Sequence, residues 1–405
     1  MDYWEIRASY RQAAVDRTAA DLMRRVHRVF ERTEAQAGWE SVNMLNNFMK
    51  AFKLDRQTAK DILNNPLDEM ERRELLKAVQ QMPKCRLRSK YLAQLSSEAY
   101  RYRISRNEAL RMNVQAIYMD AAQQTVDMTY PAMLDMMEDT RLMCHYDIQH
   151  RVGFGYQVDT KSTAAANMAL REKWMGTSYS QRIWKNAEQL GDDVADVMLQ
   201  FATTGSVNML GFETVANNRY ALGSTSMKEL NDMAARLIDA NGFEEGMRLF
   251  YEKTGLDEKG FNAIRAKTRY AADRLITTEA NYLAGQANLE AYEEAGIAKY
   301  KYSAILDSHT CGRKGAGESC SALDGMVFAL KDAKVGVNMH PMHPWCRCTE
   351  TPYIDGISTD GMKRASMDKD GNYELVPESM KHTDWKAWQE AGRPVSAKDW
   401  MNGKR

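Results

Sequence analysis

Proline is nearly missing from most of this chain: Pro66, Pro83 and Pro131 precede residue 340, and the rest of its 8 prolines follow it. A proline inside a helix removes a hydrogen bond and clashes with the turn before it. The first 340 residues therefore tolerate long helices, whereas the remainder must be rich in loops and turns. Periodicity agrees. From Val15 the apolar positions Ala19, Leu22, Met23, Val26, Val29 and Phe30 recur at the helical period, with Arg24, Arg25, Arg28 and Arg32 largely on other faces. The stretches "LDRQTAKDILNN" and "LDEMERRELLKAVQQM" read as two shorter helices around Pro66, and further helices are expected at about 91–125, 131–149, 180–203, 226–238 and 261–294. Ala272, Ile276, Ala280, Leu283, Ala287 and Ala291 form the stripe of the last, and Gly296 is placed to end it.

After Gly296 the period changes from helical to two. In "KYKYSAILD" Tyr300 and Tyr302 alternate with lysines, as in a half-exposed strand, and "MVFAL" and "CTETPYI" are its expected partners. The expected fold class is mainly α with a small C-terminal α+β module: a long-helix body followed by a compact Cys/His-containing hairpin domain. The expected regions are an N-terminal helical region at 1–160, a central helical region at 161–295, the module at 296–355 and a weakly hydrophobic tail at 356–405.

At 405 residues the chain is long enough to bury a substantial core. Lys and Arg number 55 and Asp and Glu 55, so no global field draws it to nucleic acid or anionic membranes. The opening "MDYWEIRASY" lacks the basic start and apolar run of a signal peptide, and no stretch approaches the ~18 uninterrupted apolar residues of a membrane span. Synthesis in a cytoplasm is expected, where disulfides are disfavoured and 6 cysteines are too few for a disulfide-built scaffold. One tract departs from neutrality. Between Lys84 and Arg111 stand 8 lysines and arginines against 2 glutamates, with Tyr91, Tyr100 and Tyr102 interleaved. Arg86, Arg88, Arg101, Arg103 and Arg106 are candidate DNA contacts in a pattern that suits a phosphate backbone with room for stacking; a solvated helix face or a patch for an acidic protein explains the same run.

The densest chemistry lies near the end, in "LDSHTCGRKGAGESCSALDGMVFALKDAKVGVNMHPMHPWCRCTETPY". Cys311, Cys320, Cys346 and Cys348 are soft ligands and His343 a borderline one, and a tetrahedral zinc site takes four of that kind. Three readings stand side by side: a structural zinc clasp, reduced thiols packed as small hydrophobes, and disulfide pairing in a mature extracellular particle. Asp307 is placed to accept from the amide of His309 or Thr310 in an Asx-turn. His309, His340 and His343 are the candidate bases of an enzymatic reading, but no second carboxylate cluster accompanies them, and the expectation is a protein that is not an enzyme.

The succession "RLITTE", "GIAKYKYSAILDSHTC", "CSALDG" and "NMHPMHPWCRC" resembles the C-terminal domain of the phage minor head protein family, also called the Mu F-like head morphogenesis family. "YWEIRASYRQA" and "WMGTSYSQRIWKNAEQL" look like the helical portion of its siphophage members, and "VPESMKHTDWKAW" is similar to the segment downstream of the motif there. The family pattern falls on Arg274, Thr278, Glu279, Asp307, Thr310, Cys311, Cys320, Asp324, Gly325, Pro341, His343, Pro344, Cys346, Arg347 and Cys348. Family members usually carry a tight Cys-x-x-Cys after the Asp and Thr, whereas "GRKGAGES" separates the two cysteines here. The resemblance implies a low-copy structural protein of a tailed-phage head, made in the host cytoplasm and packaged in the virion. Its implied partners are the portal protein, the major capsid or scaffolding protein and packaged DNA, with no membrane during assembly and a role extending to DNA ejection. The alternatives are a DNA-binding or nuclease-type protein and an effector delivered with the genome.

Overall fold

The computed structural model describes residues 3–52, 61–153, 155–158, 168–173, 176–204, 262–308, 310, 320–354, 363–368, 373–377 and 379–403. Its helices are α1 (Tyr3–Phe52), α2 (Glu69–Gln81), α3 (Arg86–Ser96), α4 (Arg106–Val152), α5 (Tyr179–Thr204) and α6 (Asn262–Glu294). A three-stranded antiparallel sheet comes next in the order β2-β1-β3, from β1 (Lys299–Ser303), β2 (Val327–Ala329) and β3 (Thr349–Tyr353), with the short helix α7 (Cys320–Leu323) between the first two. The chain then forms an antiparallel hairpin of β4 (Lys363–Met367) and β5 (Tyr373–Pro377) and two helices, α8 (His382–Glu390) and α9 (Ala397–Asn402). This is the mainly α chain with a small C-terminal α+β module that the residue pattern predicts. No described helix is long and apolar enough to cross a membrane.

The chain divides into two compact units, one comprising 1–24, 128–180 and 273–405 and the other 25–127 and 181–272. In the second, Asp68 caps α2 by accepting from the amides of Met70 and Glu71 at 2.9 Å each, and Glu71 returns the bond to the Asp68 amide. Leu75 and Val79 of α2, and Leu87, Tyr91 and Leu95 of α3, are buried there.

Two helix boundaries differ from the expectation. The segment expected to be one helix over 91–125 breaks at Ser97, and α4 begins only at Arg106, after Ser105 and Glu108 form a capping box. The helix then runs through Pro131 instead of restarting there. Pro131 and Asp127 are both exposed, and on an exposed side of the helix water is at hand for the carbonyl that loses its donor, which limits the cost. The helix expected at 226–238 lies outside the described residues, as do residues 54–60 of "LDRQTAKDILNN".

The first unit centres on α6. Ile276, Ala280, Leu283, Ala287 and Ala291 are buried as the stripe requires, but so are Thr277, Thr278, Glu279, Asn281, Tyr282 and Asn288. A helix enclosed on nearly every side must satisfy its polar groups internally. Accordingly Asn281 donates to the Thr277 carbonyl at 2.8 Å and accepts from Gln12, and the Tyr282 hydroxyl donates to Glu172 at 2.5 Å. Gly296 ends the helix with φ of 71°, and the amides of Gly296 and Ile297 close back on the carbonyls of Glu293 and Tyr292.

Strand β1 is less exposed than its alternation suggests. Tyr300 and Tyr302 are buried, and Lys301 is only 9% exposed because Glu5 of α1 reaches it at 2.8 Å. The other Glu5 oxygen accepts from Ser303 at 2.7 Å. The region beyond 356 supplies a further core of Val376, Met380, Trp385 and Trp388 against Leu306. Leu306 also exchanges backbone hydrogen bonds with Ala365 and Met367 of β4.

Candidate metal centre

The segment before β3 folds through a tight turn. The Cys346 amide donates to the His343 carbonyl at 3.1 Å, with Pro344 second in the turn and Trp345 third at φ of 67°. Proline followed by a left-handed residue is the pattern of a type II turn, with tryptophan where glycine is usual. Thr278 of α6 holds this strained position: its hydroxyl accepts the Trp345 amide at 3.2 Å and donates to the Arg274 carbonyl at 2.5 Å. The turn brings the His343 and Cys346 side chains towards α7. Downstream, Gly325 at φ of 82° ends α7 and sends the chain into β2, its amide bonded to the Tyr302 carbonyl at 2.9 Å.

The sulfurs of Cys320, Cys346 and Cys348 consequently lie within 4.8 Å of one another, all buried. Cys320 Sγ is 3.9 Å from Cys346 Sγ and 3.3 Å from His343 Nε2. Nδ1 of His343 faces the Pro344 carbonyl at 2.7 Å, an acceptor that calls for a proton on Nδ1, and Nε2 faces Cys320 Sγ. Hydrogen bonds from Cys346 and Cys348, outweighing burial and aided by His343, hold the Cys320 thiol far below the ordinary thiol range. Burial and the bond to Cys320 push Cys346 up; the bonds to Cys320 and Cys346, with burial, push Cys348 up. His343 is raised by its bond to Cys320, against burial. A buried Cys320/Cys346/Cys348 cluster of this kind can hold a metal ion. Cys311 lies outside the described residues.

The other motif residues brace this centre. Asp307 accepts from the Thr310 amide at 2.8 Å, the Asx-turn expected of it, and pairs with Arg347 Nε at 3.0 Å and Nη2 at 2.9 Å. Arg347 lies between Cys346 and Cys348, so the pair ties the loop after β1 to the cysteine segment. Thr310 Oγ1 accepts the Asp307 amide and donates to the Ile305 carbonyl. Asp324 accepts from the Ala304 amide at 3.2 Å and takes a two-pronged bond from Arg364 of β4, at 2.5 and 2.6 Å. Glu279 is buried and Arg274 is exposed.

Of the three candidate bases, His340 has both nitrogens engaged. Nδ1 meets Glu350 at 2.6 Å and Nε2 meets the Asn281 carbonyl at 2.8 Å, with both side chains of the pair fully buried. Burial lowers the imidazole's pKa, but the Glu350 charge, its hydrogen bond and the Asn281 carbonyl together raise it. Helix α6 admits the ring only because residue 285 is glycine, where a Cβ would lie 2.9 Å from His340 Cε1 and 2.8 Å from Met339 Cε. His340 therefore anchors the "NMHP" segment and offers no vacant nitrogen. His309 lies outside the described residues.

Residues 228–351 match the family model described as Phage Mu protein F like protein. This chain carries a Mu F-like region. No curated protein and no solved structure matches the chain. The match covers α6, the three-stranded sheet up to Thr351 and all four residues gathered at the candidate centre, and it bears out the resemblance carried by "RLITTE", "CSALDG" and "HPWCRC". It makes this a phage head-related region. The partners of the Mu F-like motif residues extend beyond the match, to Arg364 for Asp324, and Glu5 reaches Lys301 in the region's central strand from the start of the chain. Sequence reasoning had no signal for either: each is a single ordinary charged residue until the fold buries it.

Proposed function

We propose that this chain is a minor structural protein of a tailed-phage head, associated with the portal inside the procapsid and assisting head morphogenesis and DNA ejection. The observation that carries the reading is the Mu F-like match over residues 228–351. The charged residues of that region are spent on structural pairs: His340 on Glu350 and Asp307 on Arg347 within it, and Asp324 on Arg364 just beyond it. Such a site supports a structural and non-enzymatic role. The long helices and zero net charge suit protein contacts, with the portal and with the major capsid or scaffolding protein, in the virion after assembly in the host cytoplasm. The cofactor that fits the cysteine cluster is a structural zinc ion.

The surface assigned to packaged DNA is the basic tract. Lys84, Arg86, Lys90 and Arg103 are exposed, and Tyr100 and Tyr102 are 48% and 50% exposed. The guanidiniums of Arg72 and Arg101 each lie 4.6 Å from the Tyr102 ring centre. Arg106 differs, for it forks onto Glu71 at 2.7 and 2.8 Å and is largely buried. Neutralising Arg86, Arg101 and Arg103 together is expected to weaken DNA binding and to flatten its salt dependence by about 0.9 in log–log slope for each phosphate no longer neutralised. Arg106→Gln is expected to lower stability instead. DNA affinity unchanged in the triple variant removes this surface from the proposal.

The deciding experiment is quantitative mass spectrometry of DNase-treated heads before and after triggered DNA release, normalised to the portal. Presence in full heads at a few copies per portal is the expected result. Loss on release identifies an ejected protein and retention a fixed portal partner. Absence from full heads overturns the reading.

A further inference from the structure

We infer that the basic tract binds the phosphate backbone of duplex DNA without stacking on bases, and that Tyr102 is a positioning residue that holds Arg101 for that contact. The inference deepens the DNA surface proposed above and rests on it, naming the form of nucleic acid that the surface takes. A single strand is gripped by successive bases stacking on open aromatic rings. The interleaved tyrosines of the tract do not offer them. Tyr91 is 5% exposed and lies with Leu87 and Leu95 on the buried side of α3. The ring of Tyr102 is already engaged by the guanidiniums of Arg72 and Arg101, each 4.6 Å from its centre. Tyr100 is left, and one ring makes no platform for successive bases.

The charges of the tract divide into those that are spent within the fold and those that are not. Arg106 forks onto Glu71, and Arg111 pairs with Asp192 at 3.1 Å. Lys84, Arg86, Arg88, Lys90, Arg101 and Arg103 meet no carboxylate among the described residues. Of the two acids in the tract, Glu108 is held in the cap of α4, so Glu98 stands alone against these cations. Cations without carboxylates bind a polyanion by displacing its condensed counterions. Duplex DNA offers the dense target, with one charge per about 1.7 Å of its axis.

Arg101 is placed by the fold and not by an acid. The amides of Arg101 and Tyr100 close on the Ser97 carbonyl at 2.9 and 3.2 Å, which shapes the turn between α3 and α4. Arg101 Nε is enclosed without a hydrogen-bond partner, and the Tyr102 ring is the contact that orients the guanidinium. An arginine held by a ring keeps its terminal nitrogens for a phosphate, whereas one held by a carboxylate, as Arg106 is by Glu71, has spent its fork. Arg72, on the same ring, is neutralised by Glu69 at 2.7 Å and donates to the Leu67 carbonyl at 3.2 Å. The excess charge at this ring therefore belongs to Arg101.

The test uses the full chain and fluorescence anisotropy with a short mixed-sequence duplex and with one of its strands, over a series of salt concentrations. The duplex is expected to bind more tightly than the strand, with log affinity falling against log salt by about 0.9 for each phosphate neutralised, and a duplex of unrelated sequence is expected to bind equally. Tyr102→Leu and Arg101→Gln are each expected to reduce that slope by about 0.9, the loss of one phosphate contact, and Tyr102→Phe to retain it. A ring that stacks a base behaves otherwise: Tyr102→Leu then weakens binding of the strand by about five-fold or more and leaves the salt slope as in wild type. That result, or tighter binding of the strand than of the duplex, overturns the inference and leaves the DNA surface standing. Affinity and slope unchanged in Tyr102→Leu overturn the positioning role. Failure to bind either probe removes the DNA surface and this inference with it, while the head assignment, read by mass spectrometry of heads, stands apart.

Discussion

Asp324 and Arg364 are 40 residues apart in the chain and meet in a bond with both oxygens and two guanidinium nitrogens engaged. Both side chains are about 5% exposed or less, so neither charge has water to fall back on. Burial raises the Asp324 carboxyl, but the hydrogen bond and charge of Arg364, with Lys381 and the Ala304 amide, outweigh it and hold the group below the usual carboxylate range. The folded state thus binds fewer protons than the unfolded one between the two pKa values. The stabilisation is fully present above the unfolded value of about 3.9 and is lost as pH falls through the lower folded value. Denaturant titrations at pH 7 and at pH 3 are expected to show a loss in wild type that is smaller in Asp324→Asn. Arg364→Leu leaves a buried carboxylate with only Lys381 at 3.4 Å and the Ala304 amide at 3.2 Å, and is expected to cost about 3–5 kcal/mol at pH 7. Equal pH responses in wild type and Asp324→Asn would sink the account.

At the scale of elements, the start of α4 is set by side chains that sequence patterning overlooks. The signature S-x-x-E is present in "SRNE", yet the apolar period carries on through residues 91–125 and favours one uninterrupted helix. In the structure the Ser105 amide donates to Glu108 Oε2 at 2.8 Å, and the Glu108 amide donates to Ser105 Oγ at 3.3 Å. Ile104, just before the cap, is buried. Ser105→Ala is expected to lower stability by about 1 kcal/mol, read as a shift in denaturation midpoint without a change of slope, whereas Ser105→Asp is expected to retain it. The opposite lesson comes from Pro131, the strongest local breaker in the region, which sits within α4 because its exposed face lets water replace the missing bond. Patterning registers the residue type and misses the side of the helix on which it falls.

At the scale of the whole molecule, the first unit is assembled from the beginning, middle and end of the chain. Trp4 is buried with Cys144, Ile148, Ala291, Tyr292 and Tyr300, residues drawn from α4, α6 and β1. Around it Glu5 meets Lys301 and Ser303, Arg7 and Arg11 converge on the fully buried Asp147, and Asp16 accepts from the Tyr373 hydroxyl at 2.8 Å. The Mu F-like region and its tail are thus bonded to the first turns of α1. Trp4→Ala is expected to destabilise the unit by about 3–5 kcal/mol and to bring protease sensitivity to the C-terminal hairpin, measured by limited proteolysis with mass mapping. Protection of β4 and β5 equal to wild type would show that the N-terminal helix is dispensable to them.

Proline placement and hydrophobic period act locally, and for that reason the succession of long helices and then a small sheet is legible in the residues alone. The end of α6 at Gly296 is legible too, since a left-handed cap is a property of one residue. So are Cys320, Cys346 and Cys348, three of the candidate ligands, because cysteines are few and these stand close together in the chain. Tertiary packing was needed to separate His340, spent on Glu350, from His343, which faces Cys320, because the two differ in what surrounds them and not in residue type. Packing also buries Lys301, expected at a strand surface, beneath Glu5, and brings Arg364 to complete the site of Asp324. A buried charge is specified by its partner, and these partners lie 40 or more residues away, beyond the reach of any local pattern.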